Sequence, residues 1–202
     1  MDISCLAVGY LETNCYIVSS GLDCLVIDPG DDAGEILSVI RDKGLRVHAI
    51  LITHGHFDHF MAAGELQKAF GVPVYIGKDD ADLLRDPGWM SEYMSPGYTA
   101  PRDLRTLSDG DTVSAGELSF QVMSAPGHSP GSVCFYSPGV LFSGDLLFMG
   151  SIGRTDLPGG NSIAIRESLA KVGRLADDTA VYPGHGPSTT VGEEKTSNPY
   201  MD

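Results

Sequence analysis

The sequence predicts an α/β fold in which β-sheets are covered by helices on their outer sides, within a single domain spanning residues 1–202. Three observations lead there. Strand-like segments open the chain, helical periodicity follows, and strands resume from Leu118, with no linker, repeat or low-complexity tract between them. The run Val47–Ile52 is almost continuously apolar, as a strand buried on both faces requires. The 202 residues, 42% hydrophobic and 20% charged, bury enough apolar surface to fold without disulfide staples.

Each element has a local cause. Ile3–Val8, Cys15–Val18 and Cys24–Ile27 read as short strands, separated by Gly9 and Gly21 and closed by the turn Asp28-Pro29-Gly30. Asp31–Lys43 places Ile36, Leu37, Val39 and Ile40 at helical spacing. Acids stand at its start, Arg41 and Lys43 at its end, and Gly44 stops it. Val47–Ile52 is the buried strand. Phe60–Phe70 reads as a helix stopped by Gly71, and Val72–Ile76 as a strand. Residues 78–106 are looser, with a short acidic helical stretch at Asp79–Arg85 and then Pro87, Gly88, Pro96, Gly97 and Pro101. Trp89, Met90, Tyr93, Met94 and Tyr98 make this segment either a flap along a substrate site or a packed loop or subunit contact. Strands are expected at Leu118–Met123, Ser132–Tyr136, Val140–Phe142 and Ala180–Tyr182, a helix at Ser162–Leu175, and a helical tail from Thr190.

Composition excludes several function classes. Asp and Glu number 27 against 13 Lys and Arg, a formal net charge of −14. Nucleic-acid binding needs a basic footprint, and docking on anionic membranes needs one too, so neither partner is expected. The acids away from the turns, including Asp79-Asp80-Asp82, read as a solvated surface. Cys5, Cys15, Cys24 and Cys134 have no metal-binding spacing and are expected to be free and buried in strands. Met1-Asp2-Ile3-Ser4 has neither the basic nor the apolar region of a leader, and no apolar run is long enough to span a bilayer, so a cytoplasmic protein is expected.

The chemistry concentrates in Thr53-His54-Gly55-His56-Phe57-Asp58-His59, directly after the buried strand. His54 and His56 would face different sides of a helix but share one face of an extended segment, so they belong to a loop leaving a strand end. Pro126-Gly127-His128-Ser129, Pro183-Gly184-His185-Gly186 and Phe142-Ser143-Gly144-Asp145 place further imidazoles and a carboxylate just past strands. Imidazole nitrogen and carboxylate oxygen suit zinc, iron or manganese. Seven such groups exceed one tetrahedral site and fit two metals sharing a carboxylate. His48 lies outside the pattern and reads as a surface or locally bonded histidine.

In these motifs, taken in order over nearly the whole chain, the sequence resembles the metallo-β-lactamase-fold hydrolases. The resemblance implies an αββα sandwich, two mixed sheets packed face to face with helices outside and metals at one edge. It implies one metal on His54, His56 and His128, a second on Asp58, His59 and His185, and Asp145 between them. Asp28, in Ile27-Asp28-Pro29-Gly30, would brace the metal loop. Ser151-Ile152-Gly153-Arg154-Thr155-Asp156-Leu157-Pro158-Gly159-Gly160 and Tyr182-Pro183-Gly184-His185-Gly186-Pro187 resemble the short, single-domain glyoxalase II-like (hydroxyacylglutathione hydrolase-like) branch. Longer members carry a C-terminal helical region that helps to bind glutathione, whereas 17 residues follow His185 here.

That resemblance implies a metal-dependent thioester hydrolase acting on small molecules such as S-lactoylglutathione or another hydroxyacylglutathione, with two divalent ions, zinc first and iron or manganese also suited. Two such ions lower the pKa of a shared water, so that hydroxide is available near neutral pH to attack the thioester carbonyl. Asp58 and Asp145 would be the catalytic carboxylates, Asp58 orienting the attacking oxygen. No protein nucleophile is needed, and no Gly-x-Ser-x-Gly elbow is present. Arg154 would either hold a substrate carboxylate through its planar fork or pair with Asp156 and shape its loop. The alternative function is a mononuclear non-haem iron sulfur (persulfide) dioxygenase. Related persulfide dioxygenases share the heptapeptide and a Gly-Arg-Thr-Asp segment, and their iron would use the positions of His54, His128 and Asp145.

Overall fold

A computed structural model describes residues 1–94 and 96–201; Ser95 of the 78–106 segment and the terminal Asp202 lie outside the described residues. Two six-stranded mixed sheets pack face to face. The first takes β1 (Asp2–Val8), β2 (Thr13–Ser20), β3 (Asp23–Ile27), β4 (Arg46–Ile52), β5 (Val74–Gly77) and β6 (Leu104–Leu107) in sequence order. Its first three strands are antiparallel neighbours, and β3 to β6 run parallel. The second sheet uses β7 (Thr112–Ala115), β8 (Leu118–Ser124), β9 (Val133–Ser137), β10 (Val140–Gly144), β13 (Ala180–Pro183) and β14 (Thr189–Thr190). Only its β10–β13 pair is parallel. A two-stranded ribbon, β11 (Leu147–Phe148) and β12 (Ser151–Ile152), stands apart.

Three apolar layers follow from the strand patterns. Tyr16, Val18, Leu25, Ile27 and Leu51 of the first sheet meet Phe120, Phe135 and Phe142 of the second to form the central core. The opposite side chains of β2 to β5 pack against α1 (Ala33–Asp42) and α2 (Ala63–Phe70). The opposite side chains of the second sheet meet α3 (Ser162–Val172) and α4 (Val191–Ser197). The order is therefore helix, sheet, sheet, helix, as expected. Residues alternate between the two faces of each strand, and both faces are covered, which is why β4 reads as a nearly unbroken apolar run.

The differences from expectation have physical reasons. The helix expected at 60–70 begins only at Ala63, as α2, and a separate 3₁₀ turn, Phe57–His59, precedes it. The intervening chain docks on the Asp28-Pro29-Gly30 turn, where Ala62 N–H donates to the Pro29 carbonyl at 3.0 Å. The acidic stretch is also 3₁₀, at Lys78–Leu84, and a further 3₁₀ segment at Gly88–Tyr93 carries Trp89. Strands β6, β7 and β14 carried no clear apolar signal because each is the last strand of its sheet and half of its surface faces solvent. All four cysteines are free as expected, but Cys5 is exposed, because it lies on the edge strand β1. No helix among the described residues is long and apolar enough to cross a membrane.

Candidate metal centre

The ends of β4, β8, β10 and β13 bring His54, His56, Asp58, His59, His128, Asp145 and His185 into one cluster. The arrangement starts at Asp28, just past β3, where a φ of +50° turns the chain out of the strand. Its buried carboxylate accepts the Thr53 N–H and the Thr53 hydroxyl, both at 2.7 Å, and His59 Nδ1–H at 3.0 Å. Asp28 thus fixes both ends of the heptapeptide.

The outward nitrogens of four imidazoles meet acceptors. His59 Nδ1 faces Asp28, His128 Nδ1 the Arg154 carbonyl at 2.8 Å, and His185 Nδ1 the Leu11 carbonyl at 3.1 Å. The Thr53 hydroxyl proton is committed to Asp28, so at 3.1 Å its oxygen accepts from His54 Nδ1. In its neutral form each ring therefore carries its proton outward, with Nε2 facing the cluster. His56 is reversed and presents Nδ1, 3.1 Å from His54 Nε2 and 2.8 Å from His128 Nε2. Beside this nitrogen group, Asp58 Oδ2 lies 3.4 Å from His59 Nε2 and 3.2 Å from His185 Nε2. Asp145 stands between the groups: Oδ1 is 3.4 Å from His59 Nε2, and Oδ2 is 3.5 Å from His128 Nε2 and 3.7 Å from His185 Nε2.

This donor set fits divalent cations. Ligand atoms of a tetrahedral zinc site, at about 2.0–2.1 Å from the ion, stand roughly 3.3 Å from one another. His59 Nε2 and Asp145 Oδ1 are buried with no hydrogen-bond partner, a condition that costs about 1–3 kcal/mol per group unless something binds them. Electrostatics divides the cluster in two. Burial, followed by the charges of neighbouring imidazoles, pushes His54 well below the usual histidine range and His56 down to about 3, so both rings are neutral. Burial also opposes charge on His59, but Asp58, Asp145 and Asp28 outweigh it and push the ring up to about 10. Burial likewise opposes charge on Asp58, but His59 and His185 outweigh it and hold the carboxyl below its ordinary range. One part thus holds the two neutral rings of His54 and His56, and the other is a carboxylate-rich pocket that attracts positive charge.

Several supporting residues gave no usable sequence signal. Asp80, grouped in the sequence with solvent-facing acids, is fully buried. It accepts Gly55 N–H at 2.8 Å, Gly131 N–H at 2.7 Å and the Ser129 hydroxyl, tying the His54–His56 loop to the His128 turn. Nothing in Lys78-Asp79-Asp80-Ala81 distinguishes it from Asp79 or Asp82. Thr13 Oγ1 donates to Asp58 at 3.0 Å. The Asn14 amide donates to the carbonyls of Pro183 at 3.0 Å and Gly186 at 2.8 Å, and the Tyr16 hydroxyl to that of Pro183 at 2.6 Å. The end of β2 therefore grips the turn that carries His185. Glycine is required at 184: a Cβ there would lie 2.2 Å from Asp145 Oδ1 and 2.7 Å from His59 Cε1.

A cavity of about 470 Å³ opens over the cluster, lined by His56, Asp58, His128, Asp145 and His185 on one side and Tyr10, Trp89 and Tyr93 on another. The 78–106 segment thus contributes to the cavity wall through Trp89 and Tyr93. Tyr98 instead packs on Phe60 and donates to the Leu84 carbonyl at 2.6 Å, away from the cavity. Arg154 also reaches the cavity, but its guanidinium forms a two-bond fork with Asp156 at 2.7 and 2.8 Å. His48 bonds Asp23 at 2.7 Å on the surface, as expected of a residue outside the pattern.

The chain matches the model of the metallo-beta-lactamase superfamily over residues 8–185. A hydroxyacylglutathione hydrolase, GloC of Haemophilus influenzae, is 32% identical over 209 residues, covering 100% of this chain and 99% of that protein. Among solved structures, TTHA1623 in a di-iron-bound form is similar with a TM-score of 0.89 and 40% identity, covering 98% of this chain and 99% of that one. ETHE1 from Myxococcus xanthus is similar with a TM-score of 0.81 and 28% identity, covering 98% and 84%.

Proposed function

This chain belongs to the metallo-beta-lactamase superfamily, and from that premise we propose that it is a metal-dependent hydrolase of thioesters. The observation that carries the reading is the position of Asp145, with one carboxylate oxygen near His59 and the other near His128 and His185. On this reading His54, His56 and His128 hold one divalent ion, Asp58, His59 and His185 hold a second, and Asp145 reaches both. Zinc suits the nitrogen-rich group, and iron or manganese suits the set as well. When bound, such ions supply a Lewis acid for the carbonyl and a water activated near neutral pH.

The protein's own groups supply position and charge. Thr13 holds Asp58 Oδ2 at 3.0 Å, which fixes this carboxylate so that it can orient the attacking water. Asp28 and the carbonyls of Arg154 and Leu11 keep the ligand rings from turning. The reaction is balanced without a protein nucleophile. The water oxygen bonds to the acyl carbon, the C–S bond breaks with its electron pair on sulfur, and a carboxylic acid and a thiol leave. GloC, one of the relatives, is named for that reaction, which supports thioesters as the substrate class.

The test pairs metal content with turnover. The purified protein is expected to hold about two metals per chain and to release thiol from S-lactoylglutathione or other lactoyl thioesters in the absence of O₂. A second reading, a mononuclear iron dioxygenase acting on persulfides, draws on His54, His128 and Asp145, the two-histidine, one-carboxylate set that the resemblance implies, with Asp145 Oδ2 3.5 Å from His128 Nε2. One iron per chain, with O₂ uptake on glutathione persulfide and no thiol released from any thioester, would establish that reading instead.

A further inference from the structure

We propose that the thioester accepted here carries a neutral, apolar and preferably aromatic group on its thiol side, seated on an aromatic wall, rather than the charged peptide of glutathione. The proposal rests on the thioester reading and names the substrate class for the same site. Tyr10 and Phe57 stack at 6.2 Å between ring centroids, and Phe57 and Tyr93 at 6.2 Å. Trp89 meets Tyr93 edge-on at 6.3 Å and His56 at 6.2 Å. A continuous aromatic track thus runs from Tyr10 to the ligand cluster.

Exposure shows that the track, apart from buried Phe57, stands outside the core. Tyr10 (65%), Leu11 (42%), Trp89 (41%) and Tyr93 (55%) are among the nine large apolar side chains exposed among the described residues, and all four line this one cavity. Apolar surface gathered around a polar pocket marks a ligand site. The carboxylates and imidazoles sit where the reacting carbonyl must go. A bulky group joined to that carbonyl through sulfur then extends over the aromatic side.

Charge argues in the same direction. Apart from His56, His128 and His185, Arg154 is the only basic residue lining the cavity among the described residues, and its Nε and one Nη are turned to Asp156. Glutathione presents two carboxylates and an ammonium group. Arg154 could meet one of these carboxylates through its remaining N–H groups, and the second would lie against aromatic faces. A neutral ring leaves no charge there and gains offset or edge-on stacking.

Trp89 is the only tryptophan in the chain, so its fluorescence reports occupancy without turnover. S-benzyl-2-mercaptoethanol, which cannot be hydrolysed, is expected to change that emission saturably, and S-methylglutathione at the same concentrations is not. In Tyr93→Ala the benzyl thioether is expected to bind about tenfold more weakly. With a common lactoyl group, kcat/KM for the benzyl mercaptan thioester is expected to exceed that for S-lactoylglutathione by about tenfold. Tyr93→Ala is expected to cost the benzyl thioester about tenfold through KM, and the methanethiol thioester less. Equal or better turnover of S-lactoylglutathione, or the same loss for every thioester in Tyr93→Ala, would overturn the proposal. If no thioester is cleaved, the hydrolase reading fails, and the fluorescence titration still decides whether the wall binds apolar rings.

Discussion

Asp145 and Asp80 show how differently two carboxylates can serve one site. Asp145 has an oxygen without a partner inside the ligand cluster, whereas Asp80 has its hydrogen bonds filled by Gly55, Ser129 and Gly131. Asp145→Ala is therefore expected to lower metal content from about two to one or fewer per chain and to abolish most activity, with circular dichroism unchanged; full metal content and normal turnover would sink its bridging role. Asp80→Asn keeps the shape but turns donors toward donors. It is expected to cost about 2 kcal/mol in urea unfolding and to weaken metal retention against a chelator about tenfold. Metal retention unchanged in that variant would mean that Asp80 stabilises the loops without positioning the ligands. The ligand residues were legible in the sequence because they gather in one heptapeptide and three Gly-containing turns. Their supports were not, because Thr13, Asn14 and Asp80 reach them from 25 to 172 residues away and resemble ordinary polar residues.

At the scale of elements, α3 buttresses the His128 turn. Asn161 caps the helix, its side-chain oxygen accepting from Ile163 N–H at 2.9 Å and Ala164 N–H at 3.0 Å, while its own N–H donates to the Gly127 carbonyl at 2.8 Å. Asn161→Ala removes the side-chain cap and leaves the backbone bond. A loss of about 1 kcal/mol in unfolding free energy is expected, with metal content unchanged; loss of metal would show that the cap itself holds the His128 turn. The buried strands β2, β3 and β4 were legible because both of their faces are covered. The ribbon of β11 and β12 was not, since two residues per strand carry no periodicity. The late start of the helix expected at 60–70 was equally hidden, because it follows from the docking of Ala62 on Pro29 rather than from local propensity.

At the scale of the whole molecule, a charge of −14 surrounds a pocket that contains one non-histidine cation, already paired. An anionic thioester is repelled on approach, so its kcat/KM at low substrate is expected to rise, or at least not fall, as salt increases from about 20 to 200 mM, while a neutral thioester shows no trend. A steep fall with salt would reveal an attractive basic patch. The helix–sheet–sheet–helix order was legible from the alternation of strand and helix signals together with the ligand motifs. That Asp80 belongs to the interior was not, because charge counts carry no depth. The grip of β2 on the turn after β13 has a consequence in time. Asn14 and Pro183 are 169 residues apart, so during synthesis they meet only when most of the polypeptide has left the ribosome. His54, His56 and His59 emerge long before His185. On the proposed metal assignment, the Asp58–His59–His185 group would be complete only once His185 has been made and has joined the fold, so an ion held there would report that this has happened.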